Sequence, residues 1–458
     1  MSLKLTMHVR WLLLEIEGWV RDGLIDEKQA LALRGRYPAP EERNWGMIVL
    51  TSVGSVIFGL GLILIIAYNW EKMGRYVKLL LIFASMLAAH AAGYHFTREE
   101  SSRKGLGEGV SLLGTMLFGA AIWLIAQVYH IDEHYPNGLL AWGIGAWAMA
   151  WAMPSIAQCI LAAVILAFWG GFEAHDFRNV FHLAPVVIIL CTVPLAWVKK
   201  SRVLLAVGVI AALAALISNA LSIHERAAAP VILLAAAVII MAGHLLSSSE
   251  SFPESSAVMT ILGFVPYALM LYLLSFPKLG SALLQFGRHG GVEYFILLCV
   301  AAGVMTALAL TVRYLRDKRF TAAILVDSAG VLASIAVLVF KFAEGIRIER
   351  LMAERTASHP DAPLPPAYLR FEGWGLAGIF NLILLTYCIT LIWDGVRNLN
   401  SKKTAAGVAL FALLAFTRYA DLFEDLVVRG LVFLAVGGAI FAVGAFYNRF
   451  KKAQEVRS

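Results

Sequence analysis

From Met47 to Tyr447 the chain returns repeatedly to apolar runs of about twenty residues, long enough at helical rise to cross the hydrocarbon layer of a bilayer. With no water in that layer, each run must satisfy its backbone groups internally, and helices do so segment by segment. The reading is an all-α fold: a polytopic transmembrane helical bundle. Composition agrees, since 60% hydrophobic against 15% charged residues leave too little polar surface for a soluble particle of 458 residues.

The runs begin near Met47, Val77, Gly109, Leu139, Ser155, Val180, Val203, Ala229, Ala257, Val292, Thr321, Gly373, Thr404 and Val427, about fourteen spans. Between Leu139 and Gly170 the break at Met153-Pro154-Ser155 leaves two readings open, a pair of spans or one kinked or re-entrant element. Residues 47–340 hold spans one to eleven and 373–448 the last three, with 341–372 an external loop and 449–458 a basic tail. In that loop, Glu344 to Thr356 alternates acids and bases at helical spacing, and a Pro-rich stretch follows, which predicts a short helix and a stiff strap.

Positive charge orients the bundle. With the N-terminus in the cytoplasm, roughly 24 of the 38 Lys and Arg fall on inner segments, including Lys199, Lys200, Arg202 and Arg313 to Arg319. Both termini are therefore expected inside, and scattered basic loops argue against nucleic acid as a partner. Residues 1–46 carry no secretory signal pattern. Instead, Leu12, Leu13, Leu14, Ile16 and Val20 space as a helix, Asp22-Gly23 breaks it, and Asp26 caps a second helix before Pro38. This cytoplasmic hairpin is either a packing lid on the bundle or a docking point for a cytoplasmic partner.

Polar residues at span ends are the candidates for function. Asn69, Trp70, Glu71, Lys72 and Arg75 close the first span on the outer side; they suit an interfacial anchor or a site for an anionic headgroup or solute. Gln127, Tyr129, His130, Asp132 and His134 end the third span on that same side. With Glu133 they spell His-x-x-Glu-His, which can bind zinc when carried by one continuous helix. Pro136-Asn137-Gly138 follows at once and no third ligand is visible, so no metal and no catalytic residue is assigned, and a polar external vestibule is the preferred reading. Arg418 and Asp421, between the last two spans, add to it, as do Glu173, His175, Asp176 and His289 in other outer turns. Inside the spans, Asp327 stands out as an intramembrane acid, costly unless paired or hydrated, with His90, Gln158, Asn219, His244 and Asn381 as weaker polar points. Its partner is expected on a neighbouring helix, or at Lys318 and Arg319.

The cysteines Cys159, Cys191, Cys299 and Cys388 all fall within apolar runs and suggest no disulfide or metal framework. No dinucleotide fingerprint, P-loop, Gly-x-Ser-x-Gly or Cys-x-x-Cys occurs, and no cofactor is implied.

Gly23-Leu24-Ile25-Asp26, the run from Ile66 to Arg75 containing Tyr68-Asn69-Trp70-Glu71, and Ala126-Gln127-Val128-Tyr129-His130 together resemble DUF2157, a family of bacterial predicted membrane proteins of unknown function. The likeness covers roughly the first 170 residues, with Arg418 to Asp421 as a second landmark. It implies a bacterial inner-membrane location and brings no activity with it. Three classes follow as expectations: a permease or flippase for a small anionic or lipid-linked solute, a non-transporting sensor or envelope scaffold, and an enzyme at the outer face of the membrane.

Overall fold

The computed structural model describes residues 12, 15–36, 72–98, 104–130, 134–178, 183–223, 227–247, 249–284, 292–318, 320–358 and 367–422, with 434, 437–439 and 441–443 beyond. The run from Met47, most of the run from Val427, the proline-rich stretch and the basic tail lie outside these residues. The chain divides into two compact units, Met1–Lys78 and Leu79–Ser458.

In the first unit, residues 15–21 are helical and α1, Glu27–Arg36, follows. Gly23 takes φ 72°, a left-handed turn that a side chain would strain. Asp26 then caps α1 reciprocally: its Oδ1 accepts from Gln29 N at 2.7 Å while its own N donates to Gln29 Oε1 at 3.0 Å. Arg34 reaches Glu17 across the turn at 3.8 Å.

Every described element that follows is also a helix. In chain order these are α2, Arg75–Arg98; α3, Lys104–Tyr129; α4, Pro136–Ala152; α5, Ile156–His175; α6, Ala184–Val198; and α7, Arg202–Ile223. Then come α8, Ala228–Leu246; α9, Glu254–Leu274; α10, Pro277–Leu283; α11, Val292–Asp317; α12, Ala322–Ser358; α13, Ala367–Arg397; and α14, Ser401–Leu422. Among the described residues nine helices are long and apolar enough to cross a membrane: α2, α3, α5, α7, α8, α9, α11, and the apolar parts of α12 and α13. α6 is apolar but only 15 residues long, and α4 has 17. Hydroxyls within the helices turn back on their own backbone, as Thr192 does to Ile188 O at 2.8 Å and Thr306 to Ala302 O at 2.7 Å. A polar side chain in an apolar layer is thereby satisfied without a neighbour.

The helix boundaries exclude one continuous kinked helix between Leu139 and Gly170 and also revise the stretch after Phe340. Met153-Pro154-Ser155 separates two distinct helices: Ser155 caps α5 by accepting from Gln158 N, and α4 and α5 pack against each other. A Cβ built on Gly143 would stand 2.7 Å from Leu166 Cδ2, so the missing side chain sets how near the two helices lie. The hydrophilic stretch after Phe340 is not a loop with its own short helix. α12 runs unbroken for 37 residues to Ser358, and α13 already begins at Ala367. Loss of hydropathy at Lys341 does not end the helix. The helix persists because pairs such as Lys341 and Glu344, 2.7 Å apart, support it and no proline comes before Pro360.

Three-residue turns join α4 to α5, α6 to α7 and α13 to α14, so these neighbours run antiparallel and helix ends sort onto two faces. One face carries His134, Glu173, Ser275 and Arg418; the other carries Arg202, Glu254, Ser247 and Asp317. Among the described helices α8 is the most enclosed, ringed by α7, α9, α11 and α12, with Leu233, Leu234, Ala236 and Met241 buried. A second core, around Ile165, Leu166, Trp169 and Ile188, joins α4 to α7.

Candidate functional site

A partly buried contact between two ionisable side chains joins α8 to α12. His244, in the last turn of α8, places Nε2 2.7 Å from Oδ2 of Asp327, in the second turn of α12. Their side chains are 20% and 13% exposed. A carboxylate and an imidazole at this distance share a hydrogen bond, which satisfies two polar groups that are costly when left alone in an apolar layer. Farther along the same face of α12, Ser334 lies 3.3 Å from the hydroxyl of buried Tyr267 on α9, which stands edge-on to Tyr387 of α13. The partner of Asp327 is thus on a neighbouring helix. Lys318 instead lies over the ring of Tyr314 at 5.6 Å, and Arg319 is outside the described residues.

Gln158, His90 and Asn381, three other polar points inside the spans, each meet a neighbouring helix. Gln158 Nε2 donates to Ser111 Oγ at 3.3 Å, linking α5 to α3, and the ring of His90 lies over Gly114. Asn381 Nδ2 donates to Ser275 O at 3.0 Å and to Ala377 O at 2.7 Å, linking α13 to the end of α9.

On the face that carries His134, a second cluster bridges α4 and α5. His134 Nε2 is 2.7 Å from Oε1 of buried Glu173, and its ring packs on Phe177 at 4.0 Å. Next to it the Tyr135 hydroxyl donates to Asp176 Oδ2. That bond, with some burial and the nearby negative charge, pushes the Tyr135 hydroxyl up to about 12. Gln127 and Tyr129 are exposed at the end of α3, and His130 follows in a left-handed turn at φ 53°. His130 and His134 therefore do not share one helix, the condition a zinc-binding His-x-x-Glu-His needs. Asp132 lies outside the described residues, and among those described no three His, Cys, Asp or Glu side chains gather within reach of a metal ion.

A third arrangement surrounds Arg418, near the end of α14. Nη2 donates to Ser275 Oγ at 2.8 Å, and the guanidinium lies over the Phe276 ring at 4.3 Å. It borders an open groove of about 530 Å³ between α13 and α14, floored by Pro277 of α10. Trp374, Asn381, Leu382, Phe411 and Leu414 line the walls. Asp421 follows on the same helix, its side chain outside the described residues.

Of the first-loop residues, Asn69, Trp70 and Glu71 lie outside the described residues. Lys72 is exposed in the turn before α2, and Arg75 reaches the Tyr76 hydroxyl at 3.3 Å. Both belong to the first unit, whereas the His134 and Arg418 arrangements belong to the second and use different helices. Glu173 and His244 were visible in the sequence as polar points without partners. Ser275 and Phe276, which seat Arg418, carried no sequence signal: a serine and a phenylalanine at a span end are unremarkable until the fold sets them beneath a guanidinium.

Residues 17–159 match the family described as Predicted membrane protein (DUF2157). The DUF2157 segment takes in α1 to α4 and the start of α5, about a third of the chain, and with them Arg75, His130 and His134. Glu173, His244, Asp327 and Arg418 all lie beyond it. No curated protein and no solved structure matches the chain.

Proposed function

We propose that this multi-pass membrane protein is a permease or flippase for a small anionic or lipid-linked solute, driven by a proton exchanged at His244 and Asp327. The observation that carries the reading is the 2.7 Å contact between those two side chains, one on the most enclosed of the described helices and one on its neighbour. Ionisable groups inside spans are expensive and mark ion or substrate pathways by default. A single proton shared by residues on two helices gives those helices two electrostatic states, the minimum that alternating access needs.

The test uses the purified chain in vesicles that enclose a pH-sensitive dye. Small carboxylates, phosphate and fluorescent anionic phospholipids are offered one class at a time. One class should move protons with it, and Asp327→Asn and His244→Gln should each abolish that coupled movement. Proton and solute traffic no faster than in empty vesicles for every class would end the permease reading and leave the sensor or scaffold as its successor.

A further inference from the structure

We infer that α6 draws the two leaflets of the bilayer together, so that the hydrocarbon layer it meets is about 22 Å thick where roughly 30 Å is usual. The partner of this surface is the membrane itself, thinned against one helix. α6 has to carry the chain across. α5 ends on the face of Glu173 and α7 starts on the face of Arg202; α6 is the one described helix between them, and both helices it joins are long and apolar enough to span. Its 15 residues rise only about 22 Å. Tilt accommodates a helix that is too long, but it shortens still further the reach of one that is too short.

Local chemistry stops the helix from growing. Pro185 lies in its first turn, and at its end Lys200 takes a left-handed φ of 49° while Ser201 N donates to Ala196 O at 2.9 Å. Packing stops it from sliding. A Cβ on Gly208 would run into Thr192 Oγ1, so α7 holds α6 in register, and Cys159 Sγ lies 3.6 Å from the Cys191 carbonyl, which ties α6 to α5. Trp197, in the last turn, stands edge-on to Phe252 at 5.7 Å.

The surface of α6 belongs to lipid. Leu183, Val186, Leu190 and Pro194 are exposed at helical spacing, and its neighbours also expose apolar side chains, Phe168 on α5 and Val203 and Ile210 on α7. A second observation points to thinning. Pro194 has no N–H to offer the carbonyl of Leu190, which lies one residue from the middle of the helix. A carbonyl without its helical donor is costly deep in hydrocarbon, and drawing each leaflet in by about 4 Å brings headgroup water that much closer. The apolar stretch of α12, Ala322–Glu344, has 23 residues and rises about 34 Å, so α12 meets a layer of full thickness and serves as the internal reference.

Nitroxide labels read the depth directly. Cys191 and Cys299 are replaced by alanine, whereas Cys159 and Cys388 are wholly buried and stay beyond a label's reach. Leu183→Cys and Val198→Cys then mark the two ends of α6, and Leu332→Cys marks the middle of the apolar stretch of α12; these side chains are 59%, 65% and 51% exposed. Each chain is reconstituted in phosphatidylcholine of short, medium or long acyl chains. Label depth is taken from collisions with oxygen relative to those with a water-soluble nickel complex. In the medium-chain bilayer both end labels should read headgroup depth while Leu332→Cys reads the bilayer centre, and longer chains should leave the end labels where they are. If an end label unfolds the chain, Val186→Cys or Val203→Cys, exposed near the same two boundaries, takes its place. An end label that reads well inside hydrocarbon, or that sinks as the chains lengthen, would mean that α6 is submerged in a layer of full thickness and would overturn the inference. No flux is scored, so the permease reading and the thinning stand or fall separately.

Discussion

Replacing His244 by leucine should cost far more than replacing His244 and Asp327 together. With both groups charged, their attraction at 2.7 Å is about 6 kcal/mol at an effective dielectric of about 20. Withdrawing them from water costs several kcal/mol per ion and consumes most of that gain, and contacts of this kind between membrane helices net about 1 kcal/mol. His244→Leu removes the attraction and leaves the Asp327 carboxylate, 13% exposed, against hydrocarbon, for a loss of about 3 kcal/mol. Asp327→Leu strands a half-buried imidazole, which can stay neutral, and should cost about 2 kcal/mol. In the double variant two leucines meet where two polar groups stood, and the loss should be about 1 kcal/mol or less. The four proteins are compared by denaturant-induced unfolding in mixed micelles, followed by circular dichroism. A double variant that loses the sum of the two single losses would mean that the side chains act independently, and the pair would then support no functional reading.

Three further outcomes follow from particular contacts. A Cβ on Gly263 would lie 2.8 Å from the backbone nitrogen of Ile240 and 2.9 Å from the carbonyl of Ala236, so Gly263→Ala must part α8 from α9; it should cost about 1–3 kcal/mol in the same unfolding assay, and a neutral result would contradict the packing. Lys200 holds φ 49° in the turn between α6 and α7 and is exposed, so Lys200→Gly should gain about 0.5–1 kcal/mol, whereas destabilisation would mean that its side chain contributes more than its backbone costs. The Tyr135 hydroxyl ionises near 12 in the folded chain against an ordinary 10, so the folded state holds its proton more tightly than the unfolded one. That contribution is intact below pH 10 and is lost as the pH climbs from 10 towards 12; Tyr135→Phe should flatten the decline in unfolding temperature across that window.

The helices were legible because an apolar layer admits so few backbone solutions that run length alone identifies them. Hydropathy reports the surrounding solvent, however, and so it ended the helix of α12 at Lys341, where the helix continues. Side-chain partners were the illegible part. Asp327 announced itself as an acid in a span and His244 as a histidine in another, but 83 positions separate them, and only the packing of α8 on α12 brings them together. The same holds for His134 and Glu173, 39 apart, and for Arg418 and Ser275, 143 apart. Turns on the face that carries His134 hold paired polar groups, His134 with Glu173 and Arg418 with Ser275. Shared membership of one face, inferred from alternation, carries no information on which helices are adjacent, and the fold divides the His134 and Arg418 residues between separate helix pairs.

At 37 residues, α12 is about 55 Å long, nearly twice the hydrocarbon thickness it has to cross. Its apolar stretch ends at Glu344, and the fourteen residues beyond extend it by roughly 20 Å. Such a rod is a lever with its fulcrum among the packed helices and Asp327 close to its short arm. A ten-degree swing about that end would sweep the distant tip through about 10 Å, so a small tilt at the base is magnified well beyond the apolar stretch.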